Sequence, residues 1–404
     1  EDYDEVAAVA SKWGLDCTDI GETIPGDQYT ILWNSEVVAQ MPASLIGDRC
    51  PSIHWPSKRP GDLEKRWEFD LEDLPMPEDF NKAVLDLVTS PSLRSRRWIY
   101  EQYDQMVQAN TVQGPGVPVS VIRIKETGRL IAMTMESDPW KCYLDPYRGG
   151  AETVARSIRA LAVAGATPLG LTDCLNFPSP EKPEQYWELE EVVHGMSDCC
   201  KNLECPVVSG NVSLYNESST QRILPTPVVG TVGVIDSPDH YLRSGTWQEG
   251  DHLFLVGAMN APLDGSQYLL QATGKTMGRP LPFTPEIETD FSLRALKTAR
   301  QQLAHSGRPI AGGGLAAALV KEAVMTGLGA AMRMPFPTRM DVFLFGEGTP
   351  RALYAVPSDK VVQFRLVWNG FPFVELGQIG GNYLTLENIF DLPVPVLTER
   401  WEGR

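Results

Sequence analysis

The chain has 404 residues, of which 43% are hydrophobic and 22% are charged, which is typical of a globular protein with two or three domains. Its formal net charge of −17 disfavours binding to nucleic acid or to an anionic membrane, because both would repel an acidic surface. No apolar run approaches the length that a membrane span requires. Because the first residue is Glu1 and not methionine, we expect the chain to be a piece of a longer protein.

The metal-binding and redox residues show no site pattern. The seven cysteines are scattered and include no C-x-x-C pair, so neither a zinc site nor a disulfide framework is indicated. The five histidines lack metal-ligand spacing, and we find no convincing general base. Free cysteines without a framework favour a reducing, cytoplasmic location.

The two ends of the chain resemble each other. The segment WGLDCTDIGETIPGDQYTIL occupies 13–32, and WNGFPFVELGQIGGNYLTLE occupies 368–387. Each predicts a strand, a tight turn and a second strand. The similarity indicates a large duplicated unit of which only the tail of the first copy is present. Chance similarity between two hairpins is the alternative.

Residues 49–92 are predicted to be a linker, because they are rich in proline and mixed charge and lack clean periodicity. From about Ser95 the spacing of apolar residues becomes regular. Ser120–Ile124 and Arg129–Met135 alternate as paired strands do. The next segment, GGAETVARSIRALAVAGATP, predicts a helix with an apolar face. It leads into a short buried strand, LGLTDCLNF, which is expected to end near Asp173.

The clearest predicted helix covers 181–203. Apolar residues recur at spacings of three and four and form one stripe, from which Glu188 is excluded and beside which His194 is partly exposed. The stripe consists of Tyr186, Leu189, Val193, Met196, Cys200 and Leu203. Cys200 is therefore interpreted as a core residue and not as a reactive thiol.

The strand PVVSG follows this helix and leads into a row of amides and hydroxyls that begins at Asn211. Two strands joined by one crossover helix are normally parallel, so the end of this strand should lie near Asp173. Glycine allows a phosphate to approach the backbone, and an asparagine oxygen is a suitable Mg²⁺ ligand. The alternative is a turn in which these polar groups satisfy their own backbone. The residue types alone favour the turn.

A second unit is predicted from Gly250 onward. GDHLFLVG, DVFLFGEG and RALYAVPSD predict strands, and the three glycines at 312–314 precede a helix. Amides at such a helix start can bind an anion, but tight packing is the better interpretation of this glycine run.

Several long motifs carry a family resemblance. WIYEQYDQMVQANTVQGPG, CYLDPYRGG, GATPLGLTDCLNFPSPEKPEQYW, PVVSGNVSLYNES and ILPTPVVGTVGVI resemble, in order and spacing, the second half of phosphoribosylformylglycinamidine synthases, large synthetase subunit. The resemblance covers essentially the whole chain. It implies an α+β fold of tandem aminoimidazole ribonucleotide synthetase-like repeats, each with an N-terminal mixed-sheet domain and a C-terminal α/β sandwich domain.

The resemblance also implies the domain boundaries and the reaction. Residues 1–48 would be the tail of the first repeat, 49–92 the linker, 93–244 the N-terminal domain of the second repeat and 245–404 its C-terminal domain. The family is a ligase that uses ATP and glutamine-derived ammonia to amidate formylglycinamide ribonucleotide in purine biosynthesis. The implied partners are the missing first half, a glutaminase subunit and a small accessory subunit that together supply ammonia.

By motif, Asp173 and Gly210 would contact ATP, Asn211 would ligate Mg²⁺ and Ser213 would contact substrate. The catalytic residues of the family belong to the absent first half and are unknown here. Two departures stand out. Pro178 replaces a glycine that is common in relatives, and Ala311-Gly312 stands where relatives often have Ser-Asp before Gly-Gly-Leu, so the aspartate is lost. The second departure removes the support for a ligand in the second unit. The alternatives are a structural half without activity and a free-standing aminoimidazole ribonucleotide synthetase-like enzyme.

Overall fold

The computed structural model describes residues 2–47, 49–334 and 338–403, and the chain divides into two units, 1–54 and 55–404. The elements of the first unit are α1 (Tyr3–Lys12), β1 (Tyr29–Trp33) and β2 (Glu36–Met41).

The two strands of the first unit form an antiparallel hairpin. Its turn residues, Asn34 and Ser35, both have positive φ, as the two-residue turns that match the twist of a hairpin require. The prediction of a complete hairpin within 13–32 is therefore wrong, because only the strand that begins at Tyr29 forms there. An extended segment becomes a strand only when a neighbour accepts its hydrogen bonds, and β2 provides that neighbour to β1 alone.

The second unit contains two sheets and the remaining helices. The first sheet consists of β3 (Thr111–Gln113), β4 (Ser120–Arg123), β5 (Leu130–Glu136), β6 (Thr167–Asn176), β7 (Val207–Ser213) and β8 (Thr226–Ile235). The second consists of β9 (His252–Gly257), β10 (Ser306–Pro309), β11 (Ala330–Met332), β12 (Arg351–Val356), β13 (Phe373–Ile379), β14 (Tyr383–Leu386) and β15 (Phe390–Pro393). The helices are α2 (Leu63–Trp67), α3 (Phe80–Val88), α4 (Arg97–Tyr100), α5 (Pro139–Leu144), α6 (Pro146–Val163), α7 (Pro183–Asn202), α8 (Gln267–Thr273), α9 (Pro285–Arg300), α10 (Gly314–Thr326), α11 (Met340–Phe345), α12 (Val361–Trp368) and α13 (Val394–Glu402).

The first sheet is mixed and has the strand order β3-β4-β5-β8-β6-β7. The predicted antiparallel pair at 120–135 is confirmed as β4 and β5. The parallel pairing of β6 with β7 through α7 is also confirmed, and it leaves β7 at the edge of the sheet. The helix predicted after Gly149 is α6, whose Val154, Ile158 and Leu161 are buried as expected.

The second sheet has the order β10-β12-β9-β13-β11-β14-β15. Strands β13 and β14 follow each other in the chain, but they do not pair. Instead β11 lies between them, antiparallel to β13 and parallel to β14. The hairpin predicted at 368–387 is therefore wrong in its pairing, although both of its strands form. A strand from a distant part of the chain can take the central position, and local sequence does not reveal it.

Residues 55–92 belong to the second unit and are not an independent linker. The buried side chains of α3, which include Leu87 and Val88, pack in one cluster with Leu315 of α10 and Leu253 of β9. This segment of mixed charge therefore contains a short amphipathic helix, α3. Residues 55–92 of the predicted linker thus belong to the same compact unit as the two sheets.

Helix α7 is confirmed, but its buried face is rotated from the predicted stripe. Glu188 is fully buried, while Val193 is 37% exposed. His194 is exposed, as predicted, and Cys200 is buried. The reason is Gly195, where a Cβ would lie 1.9 Å from the carbonyl oxygen of Tyr147, so α7 approaches α6 at this position. The predicted strand DVFLFGEG is also wrong, because it forms α11.

The predicted α+β class is confirmed by this arrangement of two mixed sheets with helices. The two sheets lie on either side of the predicted boundary between residues 244 and 245. Among the residues that the structure describes, no helix is long and apolar enough to span a membrane.

Candidate functional site

The strand pair β6–β7 brings the four predicted site residues together at one edge of the first sheet. In the parallel register, Asp173 is opposite Gly210. Cys174 is opposite Asn211, and Asn176 is opposite Ser213. The expectation that 37 residues of intervening chain return to the same place is therefore correct. The ligand-binding roles of these residues are not determined by this proximity and stay predictions.

The backbone at this place differs from both interpretations of the sequence. Strand β7 continues through Gly210 to Ser213, and β6 continues past Asp173 to Asn176. Gly210 and Asn211 therefore lie within an edge strand and not in a turn. Small polar residues, which alone suggest a turn, are tolerated in β7 because its outer edge and most of its side chains face solvent.

Gly210 has a structural reason to be glycine. A Cβ at this position would lie 2.7 Å from Oδ1 of Asp173, a distance that real Cβ atoms essentially never show. The missing side chain therefore makes room for the carboxylate. Burial raises the pKa of Asp173 above its ordinary value. The result is a half-buried carboxylate that lies against the exposed backbone of Gly210.

Asn211 lies on the opposite face of the sheet from Asp173, because neighbouring residues of a strand alternate between faces. Its Nδ2 is 3.8 Å from the sulfur of Cys174, its partner in register. Among the described residues, its Oδ1 accepts no hydrogen bond, so this oxygen is available to a ligand. A ligand that contacted both Asn211 and Asp173 would have to approach the free edge of β7.

Ser213 takes part in a local hydrogen-bond network. Its Oγ is 3.3 Å from Oδ1 of Asn216, whose Nδ2 donates to the carbonyl oxygens of Phe177 and Ser213 at 3.0 and 2.8 Å. The predicted turn is therefore real, but it begins after Ser213. Asn216 satisfies this turn, as the alternative interpretation of the polar row proposed.

A Mg²⁺ ion would find few ligands here. No group of three histidine, cysteine, aspartate or glutamate side chains converges in the part of the chain that the structure describes. Asn211 fits the role of one neutral oxygen ligand, and the other ligands would have to come from phosphate, water or another polypeptide.

A second region, which sequence reasoning missed, is a cavity of about 440 Å³ between the two sheets. Arg156 lines it and forms ion pairs of 2.8 Å with Glu136 and 2.9 Å with Asp138. Lys321 also lines it and, among the described residues, has no carboxylate within 4.0 Å. Burial, together with the charge of Arg308, lowers the pKa of Lys321 to about 8. The residues that line this cavity come from separate elements, so no local sequence motif predicts it.

Sequence reasoning also missed the burial of Glu188. Its carboxylate is 3.0 Å from Arg66 and 2.6 Å from Arg222 and is completely shielded from solvent. The two arginines belong to distant segments, and both supply charge that makes this burial possible. Glu188 differs from an ordinary solvent-facing helix residue only because the fold brings Arg66 and Arg222 to its carboxylate.

The glycines at 312–314 support packing and not an anion site. The amide of Gly313 donates to Oε1 of Glu347 at 2.8 Å, so a carboxylate of the chain itself already occupies this helix start. A Cβ on Gly314 would lie 2.7 Å from the carbonyl oxygen of Leu344. Tight packing, the favoured interpretation of this glycine run, is thus confirmed.

Comparison with known proteins extends these observations. Residues 118–235, which include the whole β4–β8 region, match the family model of the AIR synthase related protein, N-terminal domain. The phosphoribosylformylglycinamidine synthase subunit PurL of Moorella thermoacetica (strain ATCC 39073 / JCM 9320) is 37% identical over 405 residues. That alignment covers 98% of this chain and 55% of the relative.

Solved structures of Thermotoga maritima proteins share the fold. PurL complexed with ATP matches 94% of this chain and 53% of its own, with a TM-score of 0.61 and 19% identity. PurL complexed with FGAR matches 80% and 54%, with a TM-score of 0.63 and 16% identity. The PurLQS structure matches 89% and 50%, with a TM-score of 0.58 and 21% identity.

The chain spans about half the length of the curated relatives that it matches. Its sequence similarity extends from end to end, and its fold follows the same architecture. Over 98% of its length, the chain is therefore homologous to a part of the phosphoribosylformylglycinamidine synthase subunit PurL, which confirms the resemblance found in its sequence motifs.

Proposed function

We propose that this chain is the nucleotide-contacting part of an ATP-dependent ligase that amidates formylglycinamide ribonucleotide in purine biosynthesis. The observation that carries the proposal is the 37% identity to a PurL subunit over 98% of the chain. The ATP and FGAR complexes of the Thermotoga maritima protein support the choice of ligands.

The β6–β7 edge supports a division of roles among the site residues. Asp173 and Gly210 would contact ATP, since the Asp173 carboxylate lies directly against Gly210 on the exposed edge strand β7. Asn211 would give one oxygen to Mg²⁺, which would neutralise phosphate charge when bound. Ser213, at the end of β7, would contact the ribonucleotide substrate while Asn216 holds its loop.

The same proposal implies other polypeptides that would complete the enzyme, and a location in the cell. The carboxylates that are lacking around Asn211 would come from the other half of the synthase, which the hairpin of residues 1–48 would help to complete. The PurLQS structure of Thermotoga maritima supports the presence of partner subunits, which in this proposal are a glutaminase subunit and a small accessory subunit that supply ammonia. The scattered free cysteines support a cytoplasmic location.

The proposal is tested by measuring ATP- and ammonia-dependent amidation of formylglycinamide ribonucleotide. The complete synthase that contains this chain should turn over, whereas the purified 404-residue chain should not, because its described residues provide no carboxylate cluster for Mg²⁺. Absence of turnover in the complete protein would refute the proposed reaction. Robust turnover by the isolated chain would refute the assignment of the missing groups to another half.

Variants of the complete synthase test the site itself. Asp173→Ala should weaken ATP binding, while Asp236→Ala, at an exposed aspartate in the same sheet region, serves as the matched control. Equal ATP affinity in the two variants would exclude Asp173 from the nucleotide site.

A further inference from the structure

A serine, a histidine and a glutamate are connected by hydrogen bonds at the surface of the second sheet. The Oγ of Ser358 is 3.2 Å from Nε2 of His252, and Nδ1 of the same ring is 2.7 Å from Oε1 of Glu375. None of these residues belongs to the β6–β7 edge or to the 440 Å³ cavity. The proposed synthase function therefore leaves them without a role.

The sheet itself produces this alignment. His252 begins β9 and is the register partner of Val356, the last residue of β12. The chain then turns through Pro357, which places Ser358 back over the histidine. On the other side of β9, a bulge in β13 follows Glu375, and bulges redirect side chains near functional sites.

The glutamate is fixed from a third direction. The guanidinium of Arg365, in α12, forms an ion pair with the second carboxylate oxygen of Glu375. This contact leaves Oε1 directed to the imidazole. With Nδ1–H donating to Glu375, the Nε2 lone pair of His252 faces the hydroxyl of Ser358, which is the arrangement of a nucleophile, a general base and an orienting acid.

Backbone amides lie close in sequence to the hydroxyl. Ser358 stands in a strand–turn–helix connection, three residues before α12 begins. Within the described part of the chain, the amides of Val361, Val362 and Gln363 have no hydrogen-bond acceptor, because they belong to the first turn of this helix. Unpartnered amides of this kind stabilise the oxyanion that forms when an ester is attacked.

We propose that Ser358 is the nucleophile of a second catalytic site, which hydrolyses small activated esters. Ser358 is exposed, and His252 is partly exposed, so a small acyl donor can reach both. Oγ bonds to the acyl carbon as its proton passes to Nε2 of His252, and the same proton then leaves with the departing alcohol. Water next attacks the acyl carbon, gives a proton to Nε2, and the acid leaves as Oγ takes that proton back. Glu375 acts as a positioning residue.

The test uses p-nitrophenyl acetate and the full chain. We expect wild type to hydrolyse the ester with an initial burst, and mass spectrometry to place one acetyl group on Ser358. His252→Gln should lower the rate by on the order of 10²-fold, a usual contribution of a positioned general base, and Ser358→Ala, which removes the nucleophile, should lower it at least as much. Glu375→Gln should lower the rate as well, and Glu375→Asp should restore part of it.

The matched control is His194→Gln. His194 is exposed and its Nδ1 lies 3.5 Å from Glu191. Among the described residues no serine forms a hydrogen bond with its ring, so it reports only direct reaction of a surface imidazole with the ester. Loss of activity in this control, with Ser358→Ala unaffected, would overturn the proposal. Acetylation elsewhere than Ser358, or a wild-type rate equal to that of Ser358→Ala, would overturn it too. Ser358 is a surface residue, so its alanine variant is expected to fold, and thermal unfolding checks this.

Discussion

The buried carboxyl group of Glu288 should make the folded chain less stable as the pH rises from about 4.5 to about 7. Glu288, on α9, is 4% exposed and meets Arg159 of α6 at 3.2 Å. The same arginine is held by Glu152 at 2.6 Å and donates to the carbonyl oxygen of Thr349. Two carboxylates thus share one cation. The Oε2 of Glu288 has no well-directed hydrogen bond in the described structure.

Burial, opposed by the charge of Arg159 and assisted by that of Glu152, raises the pKa of Glu288 from 4.5 to about 7. The folded chain therefore retains this proton after the unfolded chain has lost it. Stability from this group is fully present below pH 4.5 and is lost as the pH rises to about 7. The pKa difference corresponds to about 3 kcal/mol in the free energy of unfolding.

The substitution Glu288→Gln keeps the shape of the side chain and removes its ionisation. We expect the variant to unfold at higher urea than wild type at about pH 8, by up to about 3 kcal/mol, and to differ little at about pH 5. Glu286→Gln, at an exposed position of the same helix, is the control and should change stability by less than about 0.5 kcal/mol at both values. If wild type and Glu288→Gln showed parallel pH dependence, the buried-proton reasoning would be refuted.

Three further predictions concern other parts of the chain. Gly210→Ala places a Cβ 2.7 Å from Asp173 and should cost about 1–2 kcal/mol in urea unfolding, whereas the cost should shrink in an Asp173→Ala background; equal costs would contradict this contact. Asn211→Leu, on an exposed strand, should leave thermal unfolding unchanged but weaken Mg·ATP binding by the complete synthase roughly 10- to 100-fold, and an unchanged titration would exclude the ligand role. Removal of residues 1–48 should abolish self-association measured by light scattering, because Ile20 is 98% exposed and Trp33 is 72% exposed; an unchanged mass would show that this surface is inert.

The sequence predicted which residues lie together at the candidate site, but it did not predict their backbone conformation. One crossover helix between two strands makes them parallel, and this rule alone brought Asp173 beside Gly210. The sequence GNVS indicated a turn because glycine, asparagine and serine favour turns. In the structure, the backbone of this segment forms hydrogen bonds with β6, so strand β7 continues to Ser213.

Periodicity was reliable for elements whose burial depends on one face. Helices α6 and α10 and strands β4, β5, β9 and β12 were all indicated by their own residues, because an amphipathic or apolar segment has few other ways to bury its surface. The segment DVFLFGEG shows the limit. An apolar run of five residues suits a buried strand or a buried helix, and its packing beside α10 determined the helix α11.

The sequence by itself determined the α+β class, the succession of most elements and the family to which the long motifs point. Those features follow from local propensity, from burial of apolar faces and from motif spacing. Only the tertiary structure decided which strands pair and which charges are buried. Strand β11 separates β13 from β14, and two distant arginines allow Glu188 to be completely buried. These outcomes depend on the free energy of contacts between segments far apart in the chain, which no local stretch of sequence records.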